Sequence, residues 1–235
     1  SPAAAVDVEH ATLARTGRAP EVSTAELRRI LAERRATVFD ARPVMEYALG
    51  HIPGAVNVSV KPGQPTSLYI SDVHEVGRLL GGDRAAPVVL YCNGPFCGKS
   101  SRLAEELLEA GYTNVRRYQL GAPVWRALGG VMQVEPEGFD HIRRNDRTAV
   151  VFDARPAADF AAGTLEGAVH LPREEVGRAK DDGRLPMEDH NTRIVVFGAD
   201  AALARAAAAE VARTAFHNVM FCAEPLCRRP ATATR

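Results

Sequence analysis

Apolar residues in this chain gather in short blocks separated by longer mixed stretches, and the blocks predict strands alternating with helices. Val88–Tyr91 is a continuous apolar run, the pattern of a strand buried on both faces of a parallel sheet. Thr37–Asp40, with Val38 and Phe39 at its centre, Val56–Val58 and Val115–Tyr118 read as further strands. Between them the spacing predicts helices over 24–35, 44–48, 71–80 and 100–109. Ser23 followed by Glu26 three residues on is a capping box for the first of these. Gly111 ends the last as a C-cap, and His51-Ile52-Pro53-Gly54 is a turn. Strand–helix alternation of this kind predicts a doubly wound parallel-sheet α/β unit.

The same series occurs twice. Residues 38–60 and 151–173 align with eleven of 23 positions identical, including Val-Phe-Asp-Ala-Arg-Pro in both. Val88–Cys92 aligns with Ile194–Gly198, and Tyr112–Val115 with Phe216–Val219, in the same order. Three ordered matches define an internal duplication. The first copy is expected over 18–130 and the second over 137–229, joined through Gly129-Gly130 and Glu135–Gly138.

Composition narrows the setting. The 235 residues are 46% hydrophobic and 25% charged, and 29 basic side chains balance 29 acidic ones. Those are the proportions of a soluble globular protein. Zero net charge argues against nucleic acid or a membrane surface as a partner held by bulk electrostatics. No apolar stretch is long enough for a membrane span. The sequence calls for no metal and no cofactor. Its four cysteines form two C-x4-C pairs, Cys92/Cys97 and Cys222/Cys227. For the second pair, Pro225 favours a turn, and a small disulfide and two free thiols both stay open. The paired cysteines and the Ala-rich start without Met lead to the expectation of an exported, periplasmic type of bacterial protein, with a cytoplasmic one as the alternative.

Candidate chemistry lies where a strand of the first copy ends. Ligands of open α/β sheets bind beyond the carboxyl ends of strands, and Cys92 stands there. It is followed by Asn93-Gly94-Pro95-Phe96-Cys97-Gly98-Lys99-Ser100, which leads into a helix. Strand, glycine-containing loop and helix start form an anion-binding nest of backbone N–H groups. A cysteine at its mouth is favoured as thiolate, the nucleophilic form. A helix N-terminus contributes up to about 2 kcal/mol, or at most about 1.5 pKa units. A strongly acidic Cys92 therefore also needs direct N–H bonds from the loop. Cys97 shares that loop and is either a redox partner of Cys92 or a loop residue without a role. Lys99 either steers anions or is simply solvated. Phe96 is placed at the rim of the pocket.

These residues carry a resemblance to the rhodanese, or sulfurtransferase, superfamily. It rests on Asp40-Ala41-Arg42, Gly50–Ala55, Tyr91-Cys92, and Leu120-Gly121 with Trp125 in the first copy. In the second it rests on Asp153-Ala154-Arg155 and Gly167-Ala168-Val169. The resemblance implies attack of Cys92 on a small anionic sulfur donor such as thiosulfate. A persulfide forms, and its outer sulfur passes to a thiol or cyanide acceptor. The resemblance also implies that His51 is structural; Asp40 and Arg42 are read as bracing the fold rather than performing chemistry, and Trp125 as core rather than a substrate contact.

The chain departs from the family pattern in three ways. Cys97 stands where a basic residue or threonine is usual, with Lys99 two positions later, so the active loop is expected to be two residues longer. Loops of that kind resemble those of cell-cycle dual-specificity phosphatases, which use an arginine that this loop lacks. The second copy has Gly198 at the cysteine position and no base nearby, so it is expected to be inactive. The active copy is the N-terminal one, whereas familiar two-domain sulfurtransferases keep the cysteine in the C-terminal one. Beside sulfur transfer, three classes remain open: a thiol–disulfide oxidoreductase cycling Cys92 and Cys97, a phosphatase or arsenate-handling enzyme, and a non-catalytic binding module.

Overall fold

The structure is a computed structural model that describes residues 7–60, 63, 65 and 71–222. It divides into two compact units. The first holds Ser1–Val44 and Gly54–Leu128, the second Met45–Pro53 and Gly129–Arg235. The short segment 45–53, which the repeat assigns to the first copy, therefore belongs by its contacts to the second unit.

The first unit is built on a four-stranded sheet. Strands β1 (Thr37–Asp40), β2 (Val56–Asn57), β3 (Val88–Tyr91) and β4 (Val115–Tyr118) lie in the order β2-β1-β3-β4. Every pairing is parallel, with Thr37 opposite Val88 and Val88 opposite Val115. Val88 to Tyr91 are all fully buried, as the unbroken apolar run requires of a central strand covered on both faces. Helix α1 (Thr24–Glu33) starts where Ser23 Oγ accepts the Glu26 N–H at 3.1 Å. Helix α3 (Asp72–Leu79) is capped in the same way by Ser71. Helix α4 (Gly98–Glu109) lays Leu103, Ala104 and Leu107 against Phe39, Val88, Leu90 and Val115. Truncating one such leucine to alanine costs about 2–5 kcal/mol.

The second unit repeats the plan with one more strand. Strands β5 (Met132–Val134), β6 (Val150–Asp153), β7 (Val169–His170), β8 (Ile194–Phe197) and β9 (Val219–Cys222) run in the order β5-β9-β8-β6-β7, again all parallel. Helix α9 (Ala201–Ala212) buries Ala204, Ala207, Ala208 and Val211 against this sheet. Residues 132–134, expected as connector, are thus a sheet strand, and Pro136–Asn145 forms helix α6 behind it. In the first unit the place of β5 beside β9 is taken by residues 20–22 beside β4. Glu21 bridges Arg117, Arg117 N–H donates to Pro20 O at 2.9 Å, and Val22 N–H donates to Arg117 O at 2.7 Å.

Helix α2 (Val44–Leu49) and the turn after it pack within the second unit. His51 and Gln133 exchange backbone hydrogen bonds at 2.9 and 2.8 Å. A Cβ on Gly138 of α6 would overlap the carbonyl of Ala48 and sit 2.7 Å from Leu49 N, so only glycine lets these two backbones meet. Cys222 closes β9, while Cys227 and Pro225 lie outside the described residues. Among the described residues no helix is long and apolar enough to cross a membrane.

Candidate active site

In the first sheet the chain runs from β1 outward to β2 and then back to β3 on the other side of β1. That reversal makes the carboxyl ends of β1 and β3 the switch point at which such sheets bind ligands. Two devices fix the strand ends there. Asp40 receives the backbone N–H of Arg42 at 2.8 Å, its guanidinium at 2.7 and 3.1 Å, and the Tyr91 hydroxyl at 2.6 Å. Asn57 Nδ2 donates to the carbonyls of both Asp40 and Arg42. Asp153 and Arg155 repeat the fork in the second unit, with Thr164 Oγ1 donating to Asp153 at 2.8 Å. These aspartates and arginines are almost wholly buried, so their charges are committed to each other and to the frame.

Cys92 follows Tyr91 directly. Its carbonyl accepts the Ala122 N–H at 3.1 Å. Gly121, with φ of +69°, passes so close that a Cβ there would lie 2.5 Å from both Cys92 O and Gly94 N. The loop turns at Gly94, whose carbonyl accepts the Cys97 N–H at 3.0 Å. Cys97 is the N-cap of α4, without a side-chain capping bond. Helix α4 begins at Gly98, earlier than the expected Ser100, so Gly98, Lys99 and Ser100 form its first turn and the loop proper is Asn93–Cys97. Asn93, Pro95, Phe96 and Lys99 are exposed, and Phe96 stands entirely in solvent rather than against a pocket wall.

The two cysteines lie against each other where α4 begins. Cys92 is only 1% exposed; its Sγ lies 3.3 Å from Ser100 Oγ and 3.4 Å from the carbonyl of Cys97, which accepts the thiol proton. Burial pushes the Cys92 thiol up, and the bond to Cys97 adds to this, while the hydroxyl and N–H of Ser100 work the other way. Burial also acts on Cys97, but it is outweighed by the nearness of the Cys92 thiol, of the Asn93 and Lys99 N–H groups and of the Lys99 charge. Its pKa falls below that of an ordinary thiol. The sequence led to a thiolate favoured on Cys92; burial opposes that, and the thiol whose pKa is lowered is Cys97.

Behind Ser100 lies a feature that the motif did not reveal. Arg117 Nη2 donates to Ser100 Oγ at 3.4 Å, and Nη1 donates to Thr16 Oγ1 at 2.9 Å and Glu21 Oε1 at 3.2 Å. Arg117 and Glu21 are a buried ion pair, 3% and 5% exposed at their side chains. Ser100 Oγ thus lies between Arg117 Nη2 and Cys92 Sγ. The signal was present in the sequence: two consecutive arginines, Arg116 and Arg117, interrupt a strand otherwise made of Val115 and Tyr118.

His51 is 1% exposed, stacks on Tyr47 with ring centres 3.8 Å apart, and sits 3.5 Å from Glu135. It is a packed structural residue. Trp125 is buried with the Arg28 guanidinium 4.7 Å above its ring, as expected of a core residue. In the second unit Gly198 takes the cysteine position, and Asp200 caps α9 by accepting the Leu203 N–H at 2.8 Å. A carboxylate of the chain itself thus occupies the helix start. A cavity of about 470 Å³ opens beside it, lined by Arg155, Asp159, Gly163, Thr164 and Phe197 among others.

Two parallel α/β units, one with a thiol pair at its switch point and one with glycine there, define a class of protein. The family model of the rhodanese-like domain matches residues 23–128 and 139–224, and the chain belongs to that family. It is 34% identical over 110 residues to the human thiosulfate:glutathione sulfurtransferase, covering 43% of this chain and 87% of that protein. It is 32% identical over 108 residues to an HTH-type transcriptional regulator of Mycobacterium tuberculosis, covering 46% of this chain and 42% of the regulator. The chain therefore spans less than half of the length of that relative. Among solved structures it is similar to a thiosulfate sulfurtransferase from Pseudomonas aeruginosa, with 20% identity and a TM-score of 0.36 over 85% of this chain and 39% of that one. A 3-mercaptopyruvate sulfotransferase from Escherichia coli gives 21% identity and a TM-score of 0.37 over 84% and 95%.

Proposed function

We propose that the protein is a sulfurtransferase that moves sulfane sulfur from a small anionic donor of the thiosulfate type to a thiol or cyanide acceptor, through a persulfide on Cys92. The observation that carries this reading is the placement of Cys92: a thiol at the carboxyl end of β3, its sulfur 3.3 Å from Ser100 Oγ, with Ser100 acting to lower its pKa. The family membership and the human thiosulfate:glutathione sulfurtransferase among its relatives support the same chemistry.

Beside Cys92, whose pKa burial raises, lies Cys97 with a lowered one. Loss of the Cys92 proton, to a Cys97 thiolate or to solvent, gives a Cys92 thiolate that Ser100 stabilises. The thiolate attacks the sulfane sulfur of the donor, the bond between the two donor sulfurs breaks, and sulfite leaves with its electron pair. An acceptor thiolate or cyanide then attacks the outer sulfur and expels the Cys92 thiolate. Lys99, exposed at the start of α4, supplies the positive charge that draws an anionic donor to this end of the sheet. The second unit, with glycine in place of the nucleophile and Asp200 on its helix, takes no part in the covalent steps.

The test is intact mass after incubation with thiosulfate, together with cyanide-dependent turnover. The wild-type chain is expected to gain one sulfur atom transiently and to turn over, while Cys92→Ser, with an unchanged circular dichroism spectrum, does neither. A Cys92→Ser variant that keeps most of its turnover would overturn the assignment.

A further inference from the structure

Cys97 does more in this loop than occupy a position. Its carbonyl lies 3.4 Å from Cys92 Sγ, it packs against the core cluster that contains Cys92, and it is partly open to solvent while Cys92 is covered. Two thiols five positions apart at one strand–loop–helix turn, the more open one with its pKa lowered, place a nucleophile beside a neighbouring sulfur.

We propose that Cys97 is a resolving thiol: it attacks the Cys92 persulfide at the inner sulfur, expels hydrosulfide and leaves a Cys92–Cys97 disulfide. This rests on the persulfide reading above and extends it to a second activity, the release of sulfide from the donor. The atom attacked follows from the placement. Cys97 lies beside the buried Cys92 Sγ, which becomes the inner sulfur of the persulfide, whereas an external acceptor meets the outer one. In the step, the Cys97–Cys92 bond forms, the bond between Cys92 Sγ and the outer sulfur breaks, and the outer sulfur leaves as HS⁻ with the bonding electrons. Each cysteine sulfur ends oxidised to the disulfide level and the transferred sulfur ends reduced. A second cycle requires an external thiol, two equivalents of which reduce the disulfide and are themselves oxidised to a disulfide.

The loop is built for the movement. A disulfide requires the sulfurs to close to about 2 Å. Cys97 lies between the turn at Gly94, with φ of +103°, and Gly98, around whose Cα there is open space. Its side chain makes no capping bond that would have to be given up. A helix N-cap that is cysteine rather than Ser, Thr, Asp or Asn leaves the sulfur free for this use.

The experiment uses the full chain, reduced and desalted, incubated with thiosulfate and no added thiol or cyanide. Sulfide is measured in solution, and protein mass and cysteine-containing peptides are mapped after quenching with an alkylating agent. The wild type is expected to release up to one equivalent of sulfide per chain and to show a Cys92–Cys97 crosslinked peptide. Cys97→Ser and Cys97→Ala are expected to release none and to accumulate the Cys92 persulfide. A wild type that holds a stable Cys92 persulfide without sulfide or crosslink overturns the resolving role and leaves the sulfurtransferase reading standing. A persulfide found on Cys97 overturns attack at the inner sulfur. If neither the wild type nor the Cys97 variants take up sulfur, both readings fall.

Discussion

At the scale of single residues, the site turns on two thiols shifted in opposite directions. The neighbouring Cys92 thiol, the Asn93 and Lys99 N–H groups and the Lys99 charge lower the pKa of Cys97, and burial raises that of Cys92. Only the thiolate is alkylated readily, so the sign follows. As pH rises through neutrality, iodoacetamide should label Cys97 first, at a pH where an ordinary thiol is still largely protonated. Cys92 should follow only above the range of an ordinary thiol. Ser100 opposes the upward shift of Cys92, so Ser100→Ala should move the Cys92 profile to still higher pH and leave that of Cys97 nearly unchanged. Peptide mapping across a pH series checks both. If Cys92 reacts first, or if its profile is indifferent to Ser100, these opposite shifts are wrong. The buried Arg117–Glu21 pair lies behind this effect, since Arg117 Nη2 donates to Ser100 Oγ. A pair of that kind loses about 3–5 kcal/mol when one partner is removed, so Ser100 is the safer probe of the sulfur.

At the scale of elements, the two copies differ in what caps the helix after the central strand. In the first, Cys97 leaves the start of α4 open; in the second, Asp200 fills the start of α9 with a carboxylate. The missing cysteine is therefore not all that separates them. A Cβ at Gly198 would lie 2.5 Å from Leu203 Cδ2 and 3.0 Å from Ala204 N. Gly198→Cys in a Cys92→Ser background should consequently stay inactive in cyanide-dependent sulfur transfer. It should also lose stability by about 1–3 kcal/mol through overpacking, read from the denaturant midpoint. Substantial activity in that double variant would show that cap and packing do not matter. Much of this scale was legible beforehand. Thr37–Asp40 and Val88–Tyr91 are strands at the expected residues because apolar runs mark them, and so is Val115–Tyr118, whose two ends are apolar. Ser23 caps α1 as expected, while Ser71, expected inside its helix, is the cap of α3. The start of α4 was misplaced because neither Gly98 nor Lys99 signals a first turn and a cysteine is an unusual N-cap. The strand at Met132–Val134 was missed because only its pairing with β9 makes three residues a strand. The ion pair behind Ser100 joins residues about a hundred positions apart, which no local pattern reports.

At the scale of the whole molecule, the duplicated sequence does not coincide with the duplicated structure. Residues 45–53 carry the sequence of the first copy and the contacts of the second unit, and Gly138 is where they close against α6. Gly138→Ala places a methyl group on the carbonyl of Ala48. It should cost about 1–3 kcal/mol, a loss of several degrees in Tm for a chain of this size, without touching the residues around Cys92. Differential scanning calorimetry measures it, and an unchanged Tm would mean that this backbone contact is not kept in solution. The interleaving also sets a timetable for a chain made from one end. Met45–Pro53 leaves the ribosome early, but the strand and helix it docks on, with β9 beside them, lie between residues 132 and 222. At about 5–20 residues per second, the segment waits on the order of ten seconds or longer for its partners. Throughout that interval Ile52 and the ring of His51, both buried at the end, are open to any chaperone that reads nascent apolar sequence.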